Sequence, residues 1–320
     1  MNQEPVDIET QIAALNLLDH QEIDWKRVQR TAYLIHQHFR YDYPGPVRDL
    51  KQRLLIVPPN TYGDQQCIVH RLVVSSQLTE TSNHVDEFAN HVINLYVPYI
   101  EQTIDFEAWI VVERFADHGP HILPGVSLSD PRYLEPSTLT QPNDALREVA
   151  AILAAGAQVG GEPEWQQSAN LADRINTWVH RTLRYSYGTT GIHTTAAQAL
   201  SLRYGVCQDF AHVMLALCRL CGLPARYVSG HLLGEGGTHA WVEVLLSTPE
   251  RPGAAIVLAF DPTHGCETGL HYITVAVGRD YYDVAPTSGT FQAPYHGQLT
   301  ANKRVGPISL EYADGQYLVP

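Results

Sequence analysis

Three residues that together suit acyl-transfer chemistry occur in order along the second half of the sequence: Cys207, His239 and Asp261. Cys207 begins an apolar segment that predicts a helix ending at Gly222, with a proline shortly beyond. A cysteine at a helix N-terminus faces unpaired backbone N–H groups and the positive end of the helix dipole, and both favour the nucleophilic thiolate. The same pattern also suits a small buried hydrophobic residue, so the position alone does not decide the role of Cys207.

A strand predicted from residue 239 to residue 246 carries the histidine. Alternation places its small apolar residues in the core and places His239, Trp241 and Glu243 on the opposite, exposed face. The histidine follows Gly236-Gly237 and is well placed to reach into a cleft, although a surface histidine has the same pattern.

The next predicted strand ends at Asp261, and strand pairing decides whether this carboxylate meets the histidine. In an antiparallel hairpin with Leu245 opposite Ala255, His239 lies directly opposite Asp261, with the Cβ atoms about 5 Å apart. Asp261 then fixes the tautomer of His239, whose other ring nitrogen faces Cys207. A thiolate, a base and an orienting acid in this arrangement perform covalent acyl transfer.

The region from about Thr194 to Gly289 contains a series of motifs: Gly205–His212, Gly222–Gly230, His239–Val244, Phe260–Thr263 and Val275–Pro286. In their order and spacing, these motifs resemble bacterial transglutaminase-like proteins. The last motif resembles a C-terminal signature of one bacterial branch, whose members also carry an N-terminal β-sandwich.

The resemblance implies an enzyme, a transglutaminase-like cysteine protease or amidase, with Cys207 as nucleophile, His239 as base and Asp261 as the orienting residue. It implies a thioester intermediate formed from a peptide, an isopeptide or a glutamine carboxamide. The resemblance does not choose between hydrolysis and cross-linking, because the same core does both. Hydrolysis is the favoured expectation, since a scarcity of lysine leaves few sites for self-modification, although genome composition also explains this scarcity. The lysines are Lys26, Lys51 and Lys303.

Two further residues are candidates for substrate binding. The backbone N–H of Cys207 is expected to hold the oxyanion, and Tyr204 is a candidate for the second donor. Trp241 shares the face of His239 and is a candidate floor of a substrate groove, or else it packs over the thiol.

The sequence departs from the bacterial branch near the expected cleft. His264 stands where an asparagine is often found, and Pro249 and Pro252 replace a usual Gly-Trp pair. Neither departure touches the three catalytic candidates, so the departures leave only the shape of the cleft mouth, and hence the substrate, open.

The elements that must position these residues divide the sequence into four parts. A lead at residues 1–25 with a weak helical pattern precedes a strand-rich region at 26–117, which predicts an antiparallel β-sandwich. Residues 118–142 hold five prolines and predict a linker without regular elements. Residues 143–320 show helices followed by an antiparallel sheet, which the resemblance identifies as a papain-like, transglutaminase-type catalytic core. The predicted fold class is therefore α+β.

Composition limits the partners and the location. The 320 residues carry a formal net charge of −13, so neither nucleic acid nor an anionic membrane is an expected partner. The expected partner is a peptide or protein amide substrate, and the oligomeric state stays open. The N-terminus lacks signal-peptide features and no apolar run is long enough to span a bilayer, which favours the cytoplasm. Five cysteines, an odd number, argue against a complete disulfide framework.

Two other patterns suggest metal or redox chemistry but have plainer interpretations. Cys218-x-x-Cys221 has the spacing of half a zinc site, yet two buried side chains on one helix face fit it better. His36-x-His38 lacks the clustered frame of a metal site. No metal and no cofactor are therefore expected.

The C-terminal motif and the sandwich leave two questions open. Arg279, Asp280 and Asp283 line the cleft or form a structural ion pair that holds the C-terminal strand. The alternative function is that of a non-catalytic binding or scaffold protein, which uses the β-sandwich and the cleft for recognition.

Overall fold

The computed structural model describes residues 16–76, 80–156 and 162–320. The predicted helical lead lies mainly outside the described residues, and residues 16–23 contain no helix. No helix among the described residues is both long and apolar enough to cross a membrane.

The strands of the described residues are β1 (Val28–Asp42), β2 (Val47–Leu54), β3 (Thr61–Tyr62), β4 (Gln65–Val74), β5 (Glu80–Val85), β6 (His91–Ile100), β7 (Thr103–Phe115), β8 (Ile122–Pro124), β9 (Arg184–Tyr185), β10 (Tyr204–Gly205), β11 (Ala225–Leu232), β12 (His239–Leu246), β13 (Ala254–Asp261), β14 (Cys266–Glu267), β15 (Tyr272–Gly278), β16 (Thr287–Gln292), β17 (Gln298–Tyr312) and β18 (Tyr317–Leu318). The α-helices are α1 (Pro131–Leu134), α2 (Asp144–Ala155), α3 (Glu164–Thr182), α4 (Ala196–Leu202), α5 (Cys207–Leu220) and α6 (Tyr281–Val284).

Two antiparallel sheets form the predicted sandwich. One has the strand order β18-β17-β1-β7-β4-β3, and the other has the order β16-β2-β6-β5. Alternate residues of β1, among them Tyr33, Ile35 and Phe39, pack with apolar residues of β2, β6 and β7 in one core. The alternation of apolar residues along the strands therefore identifies the side chains that face the sandwich core, as predicted.

The last strands of the chain belong to the sandwich sheets. β17 pairs with β1 over most of the length of β1, with Leu34 opposite Gly306, and β16 pairs with β2. The predicted catalytic core at residues 143–320 is corrected accordingly, because the strands from Thr287 onward lie in the sandwich. The sequence of β17 indicates a strand, but its partner is set by the open edge of a strand far away in the chain.

A third sheet, which we call the core sheet, has the order β14-β13-β12-β11-β15. Helices α2, α3, α4 and α5 share one apolar core with one face of this sheet. Residues Ala240, Val242 and Val244 of β12 face this core, as their alternation predicts. Helices on one side of an antiparallel sheet, beside a β-sandwich, confirm the predicted α+β class.

The proline-rich segment contains short regular elements, contrary to the prediction of a linker without them. β8 pairs with β13, two 3₁₀ turns occupy Gly125–Ser129 and Thr138–Thr140, and α1 begins at Pro131. A proline is tolerated there because the first N–H groups of a helix have no intrahelical partner. The Asp130 side chain accepts a hydrogen bond from the Arg132 amide at 2.9 Å and caps this helix.

Side-chain amides of the sandwich cover the outer edge of β15. Gln65 donates to the Thr274 carbonyl at 2.8 Å and accepts from the Thr274 amide at 2.9 Å. Asn90 makes the same pair of bonds with Val277, at 2.7 and 2.8 Å. Each amide thus replaces a residue of a neighbouring strand, which satisfies backbone groups that an edge strand leaves unpaired.

A buried charged cluster joins the sandwich to the outer face of the core sheet. The Arg226 guanidinium donates to Glu243 at 2.7 Å and to the Tyr62 hydroxyl at 2.7 Å, and Tyr62 donates to Glu243 at 2.6 Å. The side chains of Arg226 and Glu243 are only 2% and 4% exposed. Glu243 was predicted on an exposed face, and this prediction is wrong because the sandwich covers that face.

Glu243→Ala should lower the free energy of unfolding by about 3–5 kcal/mol, because it leaves the buried Arg226 charge without its partner. Denaturant unfolding followed by circular dichroism measures this change. Glu113→Ala, which removes the surface ion pair with Arg30, should cost no more than about 1 kcal/mol. Equal losses in the two variants would contradict the assigned role of the buried pair.

Candidate active site

The first turn of α5 holds Cys207 at the helix N-terminus, as predicted. Asp209 fixes this turn, because its Oδ2 accepts hydrogen bonds from the Val206 amide at 2.8 Å and from the Thr190 hydroxyl at 2.6 Å. Gly205 must be a glycine, since a Cβ atom there would lie 2.5 Å from Asp209. The Cys207 side chain is half-buried, so a substrate can reach it.

His239 begins β12 beside Cys207. The Cys207 Sγ lies 4.0 Å from the carbonyl oxygen of Thr238, the residue that precedes His239. On its other side, the His239 ring binds Asp261, with 2.7 Å between Nε2 and Oδ2. The structure therefore brings Cys207, His239 and Asp261 together in the predicted order.

The strand register that was assumed for this contact is wrong by two residues. Val242 lies opposite Phe260, whereas the assumed hairpin placed it opposite Leu258. His239 and Asp261 are consequently diagonal neighbours rather than directly opposed. A shift of two residues preserves the face on which each side chain lies, so both still meet.

Trp241 does not form the floor of an open groove. Its side chain is buried among apolar residues between the core sheet and the sandwich side, with 1% exposure. The ring centroids of Trp241 and His239 are 6.3 Å apart, and the Trp241 ring meets Tyr272 edge-on at 5.4 Å. Trp241 thus packs behind the catalytic candidate His239, and its place on the exposed face was wrongly predicted.

Asp261 is fully buried and is surrounded by donors. Besides His239, its Oδ2 accepts from the Tyr272 hydroxyl at 2.8 Å and lies 2.7 Å from His264 Nδ1. The prediction that the departure at His264 touches none of the catalytic candidates is therefore wrong, because the turn after β13 folds back onto Asp261. Its Oδ1 accepts from the Thr263 amide at 2.8 Å. Burial raises the pKa of this carboxyl, but the hydrogen bonds from His239 and His264 outweigh it and hold the pKa below the ordinary value.

The contacts of His239 favour its charged form. Burial lowers the pKa of the ring, whereas the hydrogen bond with Asp261 and the interactions with the nearby Cys207 and Glu235 raise it, and together they bring it to about 12. His239 is therefore an imidazolium at neutral pH. Its contribution to stability is full below the ordinary value of 6.5 and is lost as the pH rises towards about 12.

Glu235 and Lys303 lie at the site and were missed from the sequence. Glu235 Oε2 lies 3.2 Å from His239 Nδ1, on the turn that leads into β12. Lys303 of β17 donates to the Gly237 carbonyl on the same turn. Burial lowers the pKa of Lys303 to about 8, although the charges of Glu235 and Cys207 oppose this shift. The rarity of lysine was the only signal for Lys303, and its position depends on β17 joining the sandwich.

Three exposed tyrosines occur on or beside the short strands β9 and β10, which precede Cys207. Tyr185 of β9 is 57% exposed, pairs with Gly205 of β10, and lies within electrostatic reach of Cys207 and His239. Tyr187 and Tyr204 are 89% and 42% exposed. Tyr204 therefore remains a candidate for substrate binding, and Tyr185 is a further candidate.

Two sequence patterns that suggested metal or redox chemistry have structural partners instead. Cys218 is buried and Cys221 is half-buried, and both belong to the apolar core around α5. His36 lies 2.6 Å from Glu107, and His38 lies 2.8 Å from Asp105, on the outer face of the sandwich. None of these four residues belongs to the group formed by Cys207, His239 and Asp261.

The charged residues of the C-terminal motif make structural contacts. Arg279 binds Asp283 at 2.9 Å. Asp280 caps α6 through the Tyr282 amide at 2.9 Å and accepts from the Leu139 amide at 3.2 Å. Of the two predicted alternatives, the structure therefore shows the ion pair.

Comparisons with known proteins agree with this architecture. The family model of the transglutaminase-like superfamily matches residues 157–253, and that of the bacterial transglutaminase-like N-terminal region matches residues 33–113. An uncharacterized protein of Mycobacterium leprae (strain TN) is 30% identical over 269 residues, covering 78% of this chain and 90% of that protein. An uncharacterized protein of Mycobacterium tuberculosis (strain ATCC 25618 / H37Rv) is 31% identical over 288 residues, covering 80% and 86%.

A solved structure shows the same fold over nearly the whole chain. A protein of Cytophaga hutchinsonii, called a "putative cysteine protease", is 20% identical, with a TM-score of 0.67, and the match covers 88% of this chain and 92% of that one. The fold and the arrangement of motifs therefore define a protein of the transglutaminase-like class. The chain belongs to the transglutaminase-like superfamily and carries the bacterial N-terminal region of that family.

The protonation of His239 can be measured by side-chain nitrogen NMR of labelled histidines. At about pH 8, His239 should give the signals of an imidazolium, because its pKa is raised. His70 and His91 serve as internal controls and should be neutral, since burial lowers their pKa values. Asp261→Asn should lower the midpoint of His239. A native His239 that is already neutral at this pH would contradict the described network.

Proposed function

We propose that this protein is a thiol-dependent enzyme. It transfers the acyl group of an amide first to Cys207 and then to water or to an amine. One observation carries the proposal: a buried His239–Asp261 pair, 2.7 Å apart, lies beside a half-buried cysteine at a helix N-terminus. Buried ionisable groups are costly to maintain, and this pair is placed where a nucleophilic thiol requires a proton-transfer partner.

In the first half-reaction, the Cys207 thiolate attacks the carbonyl carbon of the substrate amide. The helix N-terminus stabilises the thiolate before the attack and the oxyanion that forms after it. The Cys207 N–H is the proposed hydrogen-bond donor to this oxyanion. The exposed Tyr204 is the proposed second hydrogen-bond donor to the oxyanion. The C–N bond breaks when the His239 imidazolium gives its proton to the leaving amine, and a thioester remains on Cys207.

In the second half-reaction, His239 acts as a base, because it has lost its proton. It removes a proton from a water molecule or from an acceptor amine, and the oxygen or nitrogen attacks the thioester carbonyl. The C–S bond breaks and Cys207 is released. Asp261 keeps the ring oriented through both steps, since its carboxylate holds Nε2 while Nδ1 is directed towards the cysteine side.

We propose hydrolysis as the main outcome. Only three lysines occur in the chain, and Lys303 is partly buried and bonded to the Gly237 carbonyl. The side chains of Tyr185 and Tyr187 are exposed and offer aromatic surface to a peptide-like substrate. A cytoplasmic location belongs to the same proposal, because a reducing compartment keeps the reactive thiol free.

A binding function is the second candidate, and one observation favours it. A cavity of about 930 Å³ lies on the four-stranded sandwich sheet, away from Cys207, with Lys51, Glu80 and Tyr96 among its lining residues. A concave polar and aromatic surface of this size suits recognition of a ligand or peptide. Under this alternative, native protein would form no product.

Incubation with a broad mixture of peptide amides, with and without a primary amine, tests the two functions by mass spectrometry. Native protein should yield mainly carboxylic acid products, because water is the proposed acceptor. Cys207→Ala should yield none, and Cys67→Ala is the matched control that should retain the native yield, since Cys67 lies on β4 of the sandwich. No products from native protein would favour the binding function, and products that persist in Cys207→Ala would contradict the proposed nucleophile.

A further inference from the structure

We propose that Glu235, His239 and His264 form a binding site for a divalent transition-metal cation of the zinc class, and that the bound cation reversibly blocks Cys207. One carboxylate oxygen and one ring nitrogen from each histidine lie within 4.8 Å of one another. The blocking step rests on the proposed function, because it assumes that Cys207 and His239 act on substrate. Binding of the cation itself does not rest on it.

Glu235 approaches each histidine at nearly the separation that tetrahedral coordination requires, with one carboxylate oxygen towards each ring. Glu235 Oε2 lies 3.2 Å from His239 Nδ1, and Glu235 Oε1 lies 3.7 Å from His264 Nε2. Metal–nitrogen bonds of about 2.05 Å place two tetrahedral ligands roughly 3.3 Å apart. The ligand atoms, which lie within 4.8 Å of one another, would therefore draw closer together around a bound cation. Glu235 lies on a glycine-rich turn, and His264 is 45% exposed, so both can move.

Asp261 orients both histidines as the outer partner of a metal site does. His239 Nε2 and His264 Nδ1 each lie 2.7 Å from the same Asp261 Oδ2. With those nitrogens held by the carboxylate, the remaining nitrogens of both rings point to the side of Glu235. Histidine ligands in metal sites commonly donate their second ring N–H to a carboxylate in this way, which fixes the tautomer.

A buried ring nitrogen independently indicates a missing partner. His239 Nδ1 is buried and makes no geometrically acceptable hydrogen bond within the described residues, although Glu235 is within ion-pair distance. An unsatisfied buried nitrogen is costly, and coordination to a cation would satisfy it. The Cys207 thiol contacts the same ring and is available as a fourth ligand.

The donor set selects the kind of cation. Two imidazoles, one carboxylate and a nearby thiol suit Zn²⁺, whereas Ca²⁺ and Mg²⁺ require mainly oxygen ligands. A cation at this position would displace the Nδ1 proton of the His239 imidazolium to solvent and occupy Nδ1, the atom proposed to exchange a proton with Cys207 and substrate. Nucleophile and base would therefore be blocked together until the cation leaves.

Titration with Zn²⁺ at one fixed pH tests this site in two ways. Calorimetry measures binding directly, and protection of Cys207 from iodoacetamide measures blocking, relative to the rate of the same variant without zinc. Native protein should bind one Zn²⁺ and lose Cys207 alkylation. His264→Asn and Glu235→Gln should each need about tenfold more Zn²⁺ or greater, because even outer partners of a metal site contribute roughly 10–100-fold to affinity. His118→Asn is the matched control, since His118 lies apart from the cluster, and it should behave as native.

Equal zinc affinity in native protein, His264→Asn and Glu235→Gln would overturn the proposed site. Loss of binding only in a His36→Asn/His38→Asn variant would also overturn it, because that result places the cation on the sandwich. Ca²⁺ should not protect Cys207 at the same concentration, and equal protection by Ca²⁺ would contradict the donor set. If Cys207 is no more reactive than Cys266 without zinc, the proposed function fails, and the calorimetric result still decides the metal site.

Discussion

The buried Asp261 carboxylate is the constraint on which the site depends. A fully buried carboxylate is unstable unless donors surround it, and here Tyr272, Thr263, His239 and His264 supply them. These donors come from β12, from β15 and from the turn after β13, so that satisfying one charge fixes three parts of the core sheet. The same bonds hold His239 in the orientation that faces Cys207.

The sandwich supports this network and is more than an appended domain. β15 carries Tyr272, and the sandwich amides Gln65 and Asn90 satisfy the outer edge of this strand. The Arg226–Glu243 pair, bonded to Tyr62, closes the face of β12 opposite the helices. Because water is excluded from that face, the hydrogen bonds around Asp261 operate in a medium of low dielectric constant and are stronger for it.

Local sequence was sufficient to predict much of the fold and the arrangement of the candidate site. Hydrophobic alternation indicated the strands that carry His239 and end at Asp261, and the helix signals placed Cys207 at a helix start. The parity of the spacing required both side chains to share a face, which held even though the assumed register was wrong by two residues.

Features that depend on distant parts of the chain were not predictable in this way. The burial of Trp241 and Glu243 requires the sandwich to cover β12, and the position of Lys303 requires β17 to pair with β1. Proline spacing excluded long elements in residues 118–142, but it did not exclude one-turn helices that begin at a proline. Glu235 carried no motif, because a turn residue gains its role only from what the folded chain places beside it.

The rate at which iodoacetamide alkylates Cys207, compared within one protein with the half-buried Cys67 of the sandwich, tests most directly whether Asp261 prepares the thiol. Native Cys207 should react faster than Cys67, because burial raises the pKa of the Cys67 thiol to about 11. In Asp261→Asn, which removes the charge that orients His239, the rate at Cys207 should fall while the rate at Cys67 stays within about twofold of native. An unchanged rate at Cys207 in Asp261→Asn would contradict the claim that Asp261 prepares the thiol through His239.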